Sequence, residues 1–223
     1  LREAHVTELV GPSSSGKTQL CLQAASNFAK KYSGMVVYFE SGNSVSPKRM
    51  AQLLSPSSNP ANPEIQNVNQ ILEQLMSSIV HYSVFDIYTL LDLLHRLLHG
   101  LKSQMCCQVR MLIIDSLPSF ISPVLGGGGA HGACAALSLG FNMLSEFNAY
   151  GGPNNTNDCC QVTNHMVAGE AGASKPALGE SWKNISHVRL LLFRYMHVAN
   201  PSCISLLGWC DGTIIIISSS RLI

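Results

Sequence analysis

The sequence feature that most constrains the fold is a short segment near the start of the chain, Gly11-Pro12-Ser13-Ser14-Ser15-Gly16-Lys17-Thr18. It matches the phosphate-loop pattern G-x-x-x-x-G-K-[ST] at every fixed position. In such a loop the glycines let backbone N–H groups turn towards phosphate oxygens, while Lys17 adds a cation and the Thr18 hydroxyl can bind Mg²⁺. The segment therefore predicts that residues 11–18 bind the phosphates of a nucleotide.

The flanking sequence decides between a true phosphate loop and a flexible Ser/Gly turn that matches by accident. Val6–Val10 has enough alternating apolar residues for a strand. Apolar residues recur at helical spacing after the loop, at Leu20, Cys21, Ala24, Ala25 and Phe28. Strand, glycine loop and helix follow in the order that phosphate binding requires, so we interpret the segment as a phosphate loop.

Two apolar segments predict buried parallel strands that end in a carboxylate, Met35–Glu40 and Val109–Ser116. Glu40 ends the first, and Asp115 lies at the carboxyl end of the second. An aspartate at that position can hold the Mg²⁺ that bridges nucleotide phosphates, directly or through a water. The alternative is an aspartate that only caps a turn, but beside a phosphate loop the metal role is favoured.

The rest of the chain continues the alternation of strands and helices. Helices are expected over Pro47–Leu54, Ile65–Met76, Ile87–Leu101 and Ala133–Phe147, and strands over Ile79–Val84, His187–Tyr195, Cys203–Leu207 and Thr213–Ile217. The stretch that fits least is Ala149–Asp158, rich in Gly, Pro and Asn, before a short apolar Cys159–Val162. The pattern predicts an α/β fold with a doubly wound, mainly parallel sheet flanked by helices and a site at its carboxyl edge.

Composition agrees with that class: 46% of residues are hydrophobic and 12% charged, as in a core-rich domain. A net charge of +1 excludes a generally basic nucleic-acid coat, so any DNA contact must come from local loops. Adjacent cysteines at 106–107 and 159–160, with no C-x-x-C spacing, argue against a disulfide framework and favour a reduced compartment. No segment predicts a membrane span. Because Leu1 stands where Met would begin a chain, we expect an upstream region to be missing.

Several segments resemble the RecA-like ATPases, the family that includes the eukaryotic strand-exchange recombinase and its DNA-repair paralogues. The resemblance covers about Val6 to Arg194. It is carried by Thr7–Gly11 leading into the phosphate loop, Leu112–Ser116, Val162–His165 and Lys175–Trp182. The last segment, with Leu125-Gly126-Gly127, is most similar to the D-type paralogues.

This resemblance implies a RecA-like ATPase core in residues 1–195, with residues 196–223 forming C-terminal strands or a tail outside the family. It implies ATP and Mg²⁺ as cofactors. It also implies a nuclear DNA-repair factor of homologous recombination that acts with sister recombinase paralogues, as a hetero-oligomer, on single-stranded or branched DNA. No membrane association is expected.

Roles carried over from the family place the phosphates on residues 11–18 and Mg²⁺ on Thr18 and Asp115. Asn164 and His165 correspond to the strand end that senses the γ-phosphate; the alternative is a pair of ordinary polar residues at a strand end. Two loops would face DNA, residues 122–132 and 166–175. The DNA-facing residues in them are Gly126, Gly127, His131 and Lys175.

One departure from the family concerns catalysis. The recombinase has a water-activating glutamate just after its second strand, where this chain has Gly42. Lys17 and Asp115 remain as catalytic residues, and Glu40, two positions earlier, is a candidate substitute base that starts too far back along the strand unless the turn at Ser41-Gly42 folds it forward. We therefore expect a weak DNA-dependent ATPase at most. The alternatives are a scaffold subunit that binds ATP without hydrolysing it and a phosphate-loop small-molecule kinase, for which the chain shows no arginine-rich lid.

Overall fold

The computed structural model describes residues 5–31, 34–54, 65–103, 109–125, 130–150, 159–169, 174–179, 182, 185–194, 204–210 and 213–219. The helices are α1 (Lys17–Lys31), α2 (Pro47–Leu54), α3 (Ile65–Ser78), α4 (Ile87–Lys102), α5 (Leu117–Leu125) and α6 (Ala130–Tyr150). The strands are β1 (Val6–Gly11), β2 (Met35–Glu40), β3 (Ile79–Ser83), β4 (Val109–Asp115), β5 (Cys159–Ala168), β6 (Ser174–Pro176), β7 (Val188–Arg194), β8 (Ile204–Cys210) and β9 (Thr213–Ser219).

The strands form one sheet in the order β3-β2-β4-β5-β1-β7-β8-β9, and β6 pairs with the end of β5. The pairings from β3 through to β7 are all parallel, and β8 and β9 extend the sheet in antiparallel fashion. The carboxyl ends of β1, β2, β4 and β5 therefore meet at one edge. This mainly parallel sheet, flanked by helices, is a RecA-like α/β core, so the predicted fold class is confirmed.

Helices cover both faces of the sheet because successive strand residues point to opposite sides. On one face Leu9, Tyr38 and Ile113 pack with α1 and with residues of α2 and α3. On the other face Phe39 and Ile114 pack with α4, α5 and α6. Adjacent residues of one strand enter different cores, which is the doubly wound arrangement.

Local sequence fixes the starts of two helices. The Ser46 hydroxyl accepts a hydrogen bond from the backbone N–H of Arg49 at 3.3 Å, and Pro47 occupies the first turn of α2, where its missing N–H costs nothing. Asp86 caps α4: its carboxylate accepts from the Thr89 hydroxyl at 2.6 Å and from the Thr89 backbone N–H at 2.9 Å, and these bonds lower the pKa of the carboxyl. None of the helices in the described ranges is long and apolar enough to cross a membrane.

The structure differs from the sequence expectations between β4 and β7. Residues up to 125 form helix α5, which the sequence did not predict, and α6 begins at Ala130, so His131 lies in a helix and not in a loop. The expected second loop is shorter, because β5 continues to Ala168 and β6 begins at Ser174. Of the Gly/Pro/Asn-rich stretch Ala149–Asp158, the first two residues end α6, and residues 151–158 lie outside the described residues.

Candidate nucleotide-binding site

The predicted phosphate loop connects β1 to α1, at the carboxyl edge of the sheet. Ser14 and Gly16 have positive φ angles of 61° and 93°, which curl the backbone between the strand and the helix. Gly11 is tightly enclosed: a Cβ there would lie 2.4 Å from the backbone oxygen of Leu192 and 2.5 Å from Oγ of Ser15. The glycine at the start of the loop is therefore required by packing.

Lys17 stands at the first position of α1 and folds back over the loop. Its Nζ donates to the carbonyl oxygens of Gly11 and Pro12, each at 2.7 Å. Burial lowers the pKa of this ammonium, and the negative charge of Asp115 partly opposes that shift. The side chain thus carries its charge at the centre of the loop, next to the aspartate of β4.

Asp115 ends β4, and both of its carboxylate oxygens accept hydrogen bonds. Oδ1 accepts from the Thr163 hydroxyl at 2.6 Å, and Oδ2 accepts from the Tyr38 hydroxyl at 3.0 Å. The three side chains come from adjacent strands, because β4 pairs with both β2 and β5. This arrangement fixes the carboxylate, which is buried, at the edge that carries the phosphate loop.

The residues present fit a bound magnesium nucleotide. A loop of curled backbone, a cation on it and an anchored carboxylate beside that cation are what phosphates and Mg²⁺ need. Hydroxyls that donate to the carboxylate also orient it, as the hydrogen-bond partners of a metal ligand do. Thr18 follows Lys17 on α1 and is partly exposed.

Sequence reasoning missed Tyr38, Thr163 and the buried thiol of Cys21 as parts of this site. Burial first, and then neighbouring Asp115, raise the pKa of the Cys21 thiol; burial, Cys21 and Asp115 raise the pKa of the Tyr38 hydroxyl. Both groups therefore stay protonated, and Tyr38 remains a donor to the carboxylate. The alternation of each strand could have found them, since Tyr38 and Thr163 point to the same face as Asp115.

Glu40, the substitute base suggested by the sequence, is engaged elsewhere. Its Oε2 accepts from the backbone N–H groups of Ser44 and Val45, at 2.7 and 3.2 Å, and from the Ser44 hydroxyl. Its Oε1 is buried and has no hydrogen-bond partner among the described residues. The carboxylate is therefore fully buried and committed to the turn after β2.

Asn164 and His165, the predicted phosphate sensors, point to opposite faces of the sheet. His165 lies opposite Gly11 in the parallel pairing of β5 with β1. Burial lowers the pKa of its imidazole, and the charge of Lys17 lowers it further. Asn164 instead donates from Nδ2 to Oε1 of Glu8 at 2.7 Å, on the face covered by α5 and α6. The structure brings His165 to the loop and does not bring the Asn164 side chain there.

Curated proteins resemble this chain over most of its length. It is 31% identical over 196 residues to bovine and mouse proteins named DNA repair protein RAD51 homolog 4, with 86% of this chain and 56% and 55% of theirs aligned. A Dictyostelium discoideum protein named probable DNA repair protein RAD51 homolog 4 is 26% identical over 221 residues, 84% of this chain and 59% of its own length. These similarities support the RAD51-paralogue family. No protein-family model matches the chain.

The RecA-like resemblance predicted two DNA-facing loops, and the structure describes part of each predicted segment. Lys175 is exposed on strand β6, whose pairing with β5 joins it to the strand that carries His165. The backbone N–H of Ala177 donates to the carbonyl of His165 at 2.9 Å, at the base of this hairpin. His131 lies in the first turn of α6, and Gly126 and Gly127 lie outside the described residues.

Proposed function

We propose that this chain is the ATP-binding core of a RAD51 paralogue that assists DNA repair by homologous recombination. The observation that carries the proposal is the grouping of Lys17, Asp115 and Thr163 around a phosphate loop whose backbone is already curled. Similarity to proteins named as DNA-repair RAD51 homologues supports the biological role.

The chain spans just over half the length of these relatives, so its partners and substrates are part of the proposal. We assign it to the D-type paralogues because Lys175–Trp182 resembles their sequence. A RecA-like domain completes its nucleotide site against a neighbouring subunit, and for a paralogue the neighbour is a different member of the family. The proposed setting is a nuclear hetero-oligomer on single-stranded or branched DNA.

In the proposed mechanism the chain binds and orients the nucleotide. Backbone N–H groups of the phosphate loop and the Lys17 ammonium bind the phosphate oxygens. Mg²⁺, when bound, neutralises phosphate charge, and Thr18 and Asp115 would hold it. Tyr38 and Thr163 fix the Asp115 carboxylate by donating to its two oxygens. His165, neutral because its pKa is lowered, lies beside Lys17 where it can donate to a phosphate.

A non-hydrolysing scaffold is a second candidate, favoured by the turn after β2. Gly42 has no side chain to activate water, and the Glu40 carboxylate is held by Ser44 and Val45. The bound nucleotide would then serve to fix the shape in which the subunit meets its partners.

The test combines nucleotide binding with assembly. The chain, co-expressed with sister paralogues, is titrated with a fluorescent ATP analogue in the presence and absence of Mg²⁺, and native mass is measured in both conditions. Magnesium-dependent binding and a nucleotide-dependent hetero-oligomer are expected. A chain that binds no nucleotide, or stays monomeric with every paralogue, would contradict the proposal. Phosphoryl transfer to a nucleoside would instead favour the kinase alternative.

A further inference from the structure

A buried polar cluster lies on the face of the sheet away from the phosphate loop, and the nucleotide site described above does not use it. Its centre is Glu8, on β1, whose side chain is 0% exposed. Oε1 accepts from Nδ2 of Asn164 at 2.7 Å, and Oε2 accepts from Oγ of Ser186 at 3.0 Å and from Nε of Arg189 at 2.5 Å. One carboxylate thus joins β5, the residues before β7, and β7 itself.

Stability alone is a weak reason for this cluster. Removing a carboxylate and a guanidinium from water costs more than an apolar replacement, and their attraction often only balances that cost. Arg189 is 16% exposed, and its Nη2 and Oδ1 of Asn164 are buried without hydrogen-bond partners among the described residues. What such a cluster provides, and apolar packing does not, is a defined direction for each side chain.

The direction of the Asn164 side chain matters because this residue lies on β5 between two residues of the nucleotide site. Its two neighbours point to the opposite face: Thr163 donates to Asp115 at 2.6 Å, and His165 lies beside Lys17 and opposite Gly11. Because side chains alternate along a strand, a rotation of β5 about its axis at residue 164 must move the side chains of 163 and 165 as well. The Glu8 carboxylate resists that rotation from behind the sheet.

We propose that Glu8 is a positioning residue for the nucleotide site, acting through Asn164 to set the end of β5 so that Thr163 and His165 meet Asp115 and the phosphate loop. The proposal rests on the proposed nucleotide binding, and it gives Asn164 the role of an anchor rather than a phosphate sensor. Arg189 donates to one Glu8 oxygen, and the other oxygen accepts from Asn164.

The decisive variant is Glu8→Gln. In the parent, Asn164 and Arg189 donate to different oxygens of Glu8. In a glutamine one of those oxygens becomes an NH2 donor, so one of the two partners faces a donor instead of an acceptor. The charged guanidinium is the stronger partner of the remaining oxygen, so Asn164 is expected to lose its acceptor. Ser186→Ala is the matched control, because it deletes a hydrogen bond to the same carboxylate without touching β5. Leu98→Ala, a buried position on α4, is the control for general loss of stability.

The first measurement is the NMR titration of the His165 ring in the full chain without nucleotide. In the parent, the pKa of His165 lies below its ordinary value; in Glu8→Gln it is expected to move back towards that value as the ring leaves Lys17. Neither Ser186→Ala nor Leu98→Ala should move it. An unchanged His165 titration in folded Glu8→Gln would overturn the proposal. If Glu8→Gln does not fold, Asn164→Ala, which keeps the Glu8–Arg189 pair, is judged by the same criterion.

The second measurement is magnesium-ATP affinity. Glu8→Gln is expected to weaken it about tenfold, the effect of misplacing one hydrogen-bonding group, and the Asn164→Ala change should add little to it. Positioning through Asn164 would be contradicted if Ser186→Ala lost as much magnesium-ATP affinity as Glu8→Gln. It would also be contradicted if the affinity losses of Glu8→Gln and Asn164→Ala added fully in the double variant. A parent chain that binds no ATP would refute the proposed function, while the His165 titration would still decide the role of Glu8.

Discussion

Oε2 of Glu40 accepts a 2.7 Å hydrogen bond from the backbone N–H of Ser44, so this carboxylate closes the turn that contains Gly42. The acidic side chain nearest to Gly42 in the sequence is thereby held in a structural role. The other Glu40 oxygen, Oε1, is also buried. To act as a base, the Glu40 carboxylate would have to give up the hydrogen bonds that hold the turn after β2.

We predict that ATP turnover is slow and that Gly42→Glu raises it. A Cβ at Gly42 would have no atom within 4 Å, so a side chain can begin there without a clash. A side chain that orients or deprotonates water contributes about 10² to 10⁴ in rate, so a gain approaching about 10²-fold is expected in the assembled complex. Gly42→Gln is the control. Brisk turnover by the parent, lost in Glu40→Gln, would show that Glu40 is the base after all.

Lys17→Ala is predicted to remove most of the magnesium-ATP affinity, because the ammonium lies over the loop that would hold the phosphates. A charge-assisted contact is worth about 1.5–3 kcal/mol, or roughly ten- to more than a hundredfold in affinity. Calorimetric titration measures the change. Lys30→Ala, an exposed lysine in the last turn of the same helix, serves as the control and should bind like the parent. If Lys17→Ala bound magnesium-ATP as tightly as the parent, the assignment of residues 11–18 as the phosphate site would be wrong.

ATP affinity is predicted to rise as the pH falls below about 6.5, the ordinary pKa of a histidine. Burial and Lys17 hold the pKa of His165 below that value in the nucleotide-free protein. Phosphate charge beside the ring favours its protonated form, so binding takes up a proton in this pH range. For stability without nucleotide the sign is opposite: the unfolded chain binds the proton more readily, so stability falls as pH drops through the ordinary pKa.

The check on this pH dependence is His165→Gln, in which the His165 contribution to both profiles should vanish. His95→Gln, an exposed position on α4, should keep both. The protons taken up are measured by titration calorimetry in buffers of different ionisation enthalpy. If the ATP affinity of His165→Gln matched that of the parent at every pH, His165 would not interact with the phosphates.

DNA binding by the isolated chain is predicted to be weak and salt-sensitive, since the net charge is only +1. Lys175 is the exposed cation on the β5–β6 hairpin. Each phosphate neutralised on a single strand adds about 0.7 to the logarithmic salt slope, so Lys175→Ala should reduce the slope by about that amount. Fluorescence anisotropy with a labelled oligonucleotide measures it, with Lys30→Ala as the reference. Tight binding that resists salt would contradict the interpretation.

Gly11→Ala is predicted to destabilise the fold by about 1–3 kcal/mol or more, because the added methyl meets the backbone oxygen of Leu192 at 2.4 Å. Backbone atoms of β7 cannot move aside as a flexible side chain would. Gly42→Ala places the same methyl in open space and should change stability by less than about 0.5 kcal/mol. Urea denaturation compares the two, and equal effects would mean that the loop tolerates a larger residue.

The sequence predicted the elements around the phosphate loop well, because their patterns are long and uninterrupted. β2 was predicted at its observed bounds, and α4 differs by one residue at its end. The same reasoning failed for α5, where Pro118 and Pro123 hide a helix of nine residues. The end of β5 was missed because pairing with β6, and not local propensity, keeps Met166–Ala168 extended.

The candidate site was predictable in its motif residues and not in its supporting ones. Lys17 and Asp115 come from patterns whose chemistry is local, so their grouping followed from strand order alone. The direction of Asn164 depends on which face of β5 it occupies, and the partner that decides this, Glu8, is 156 residues away in the chain. Tyr38 became part of the site only through the pairing of β2 with β4.

The position of β1 between β5 and β7 has a consequence for how the chain is made. Glu8 and Arg189, which face each other across this pairing, are 181 residues apart, so at about 5–20 residues per second the first strand waits roughly 9–36 s for its last neighbour to be synthesised. Until then one edge of β1 is unpaired, and the carbonyl of Leu192 that closes over Gly11 does not yet exist. Nucleotide bound at the assembled loop can therefore stabilise the chain only after β7 has been synthesised.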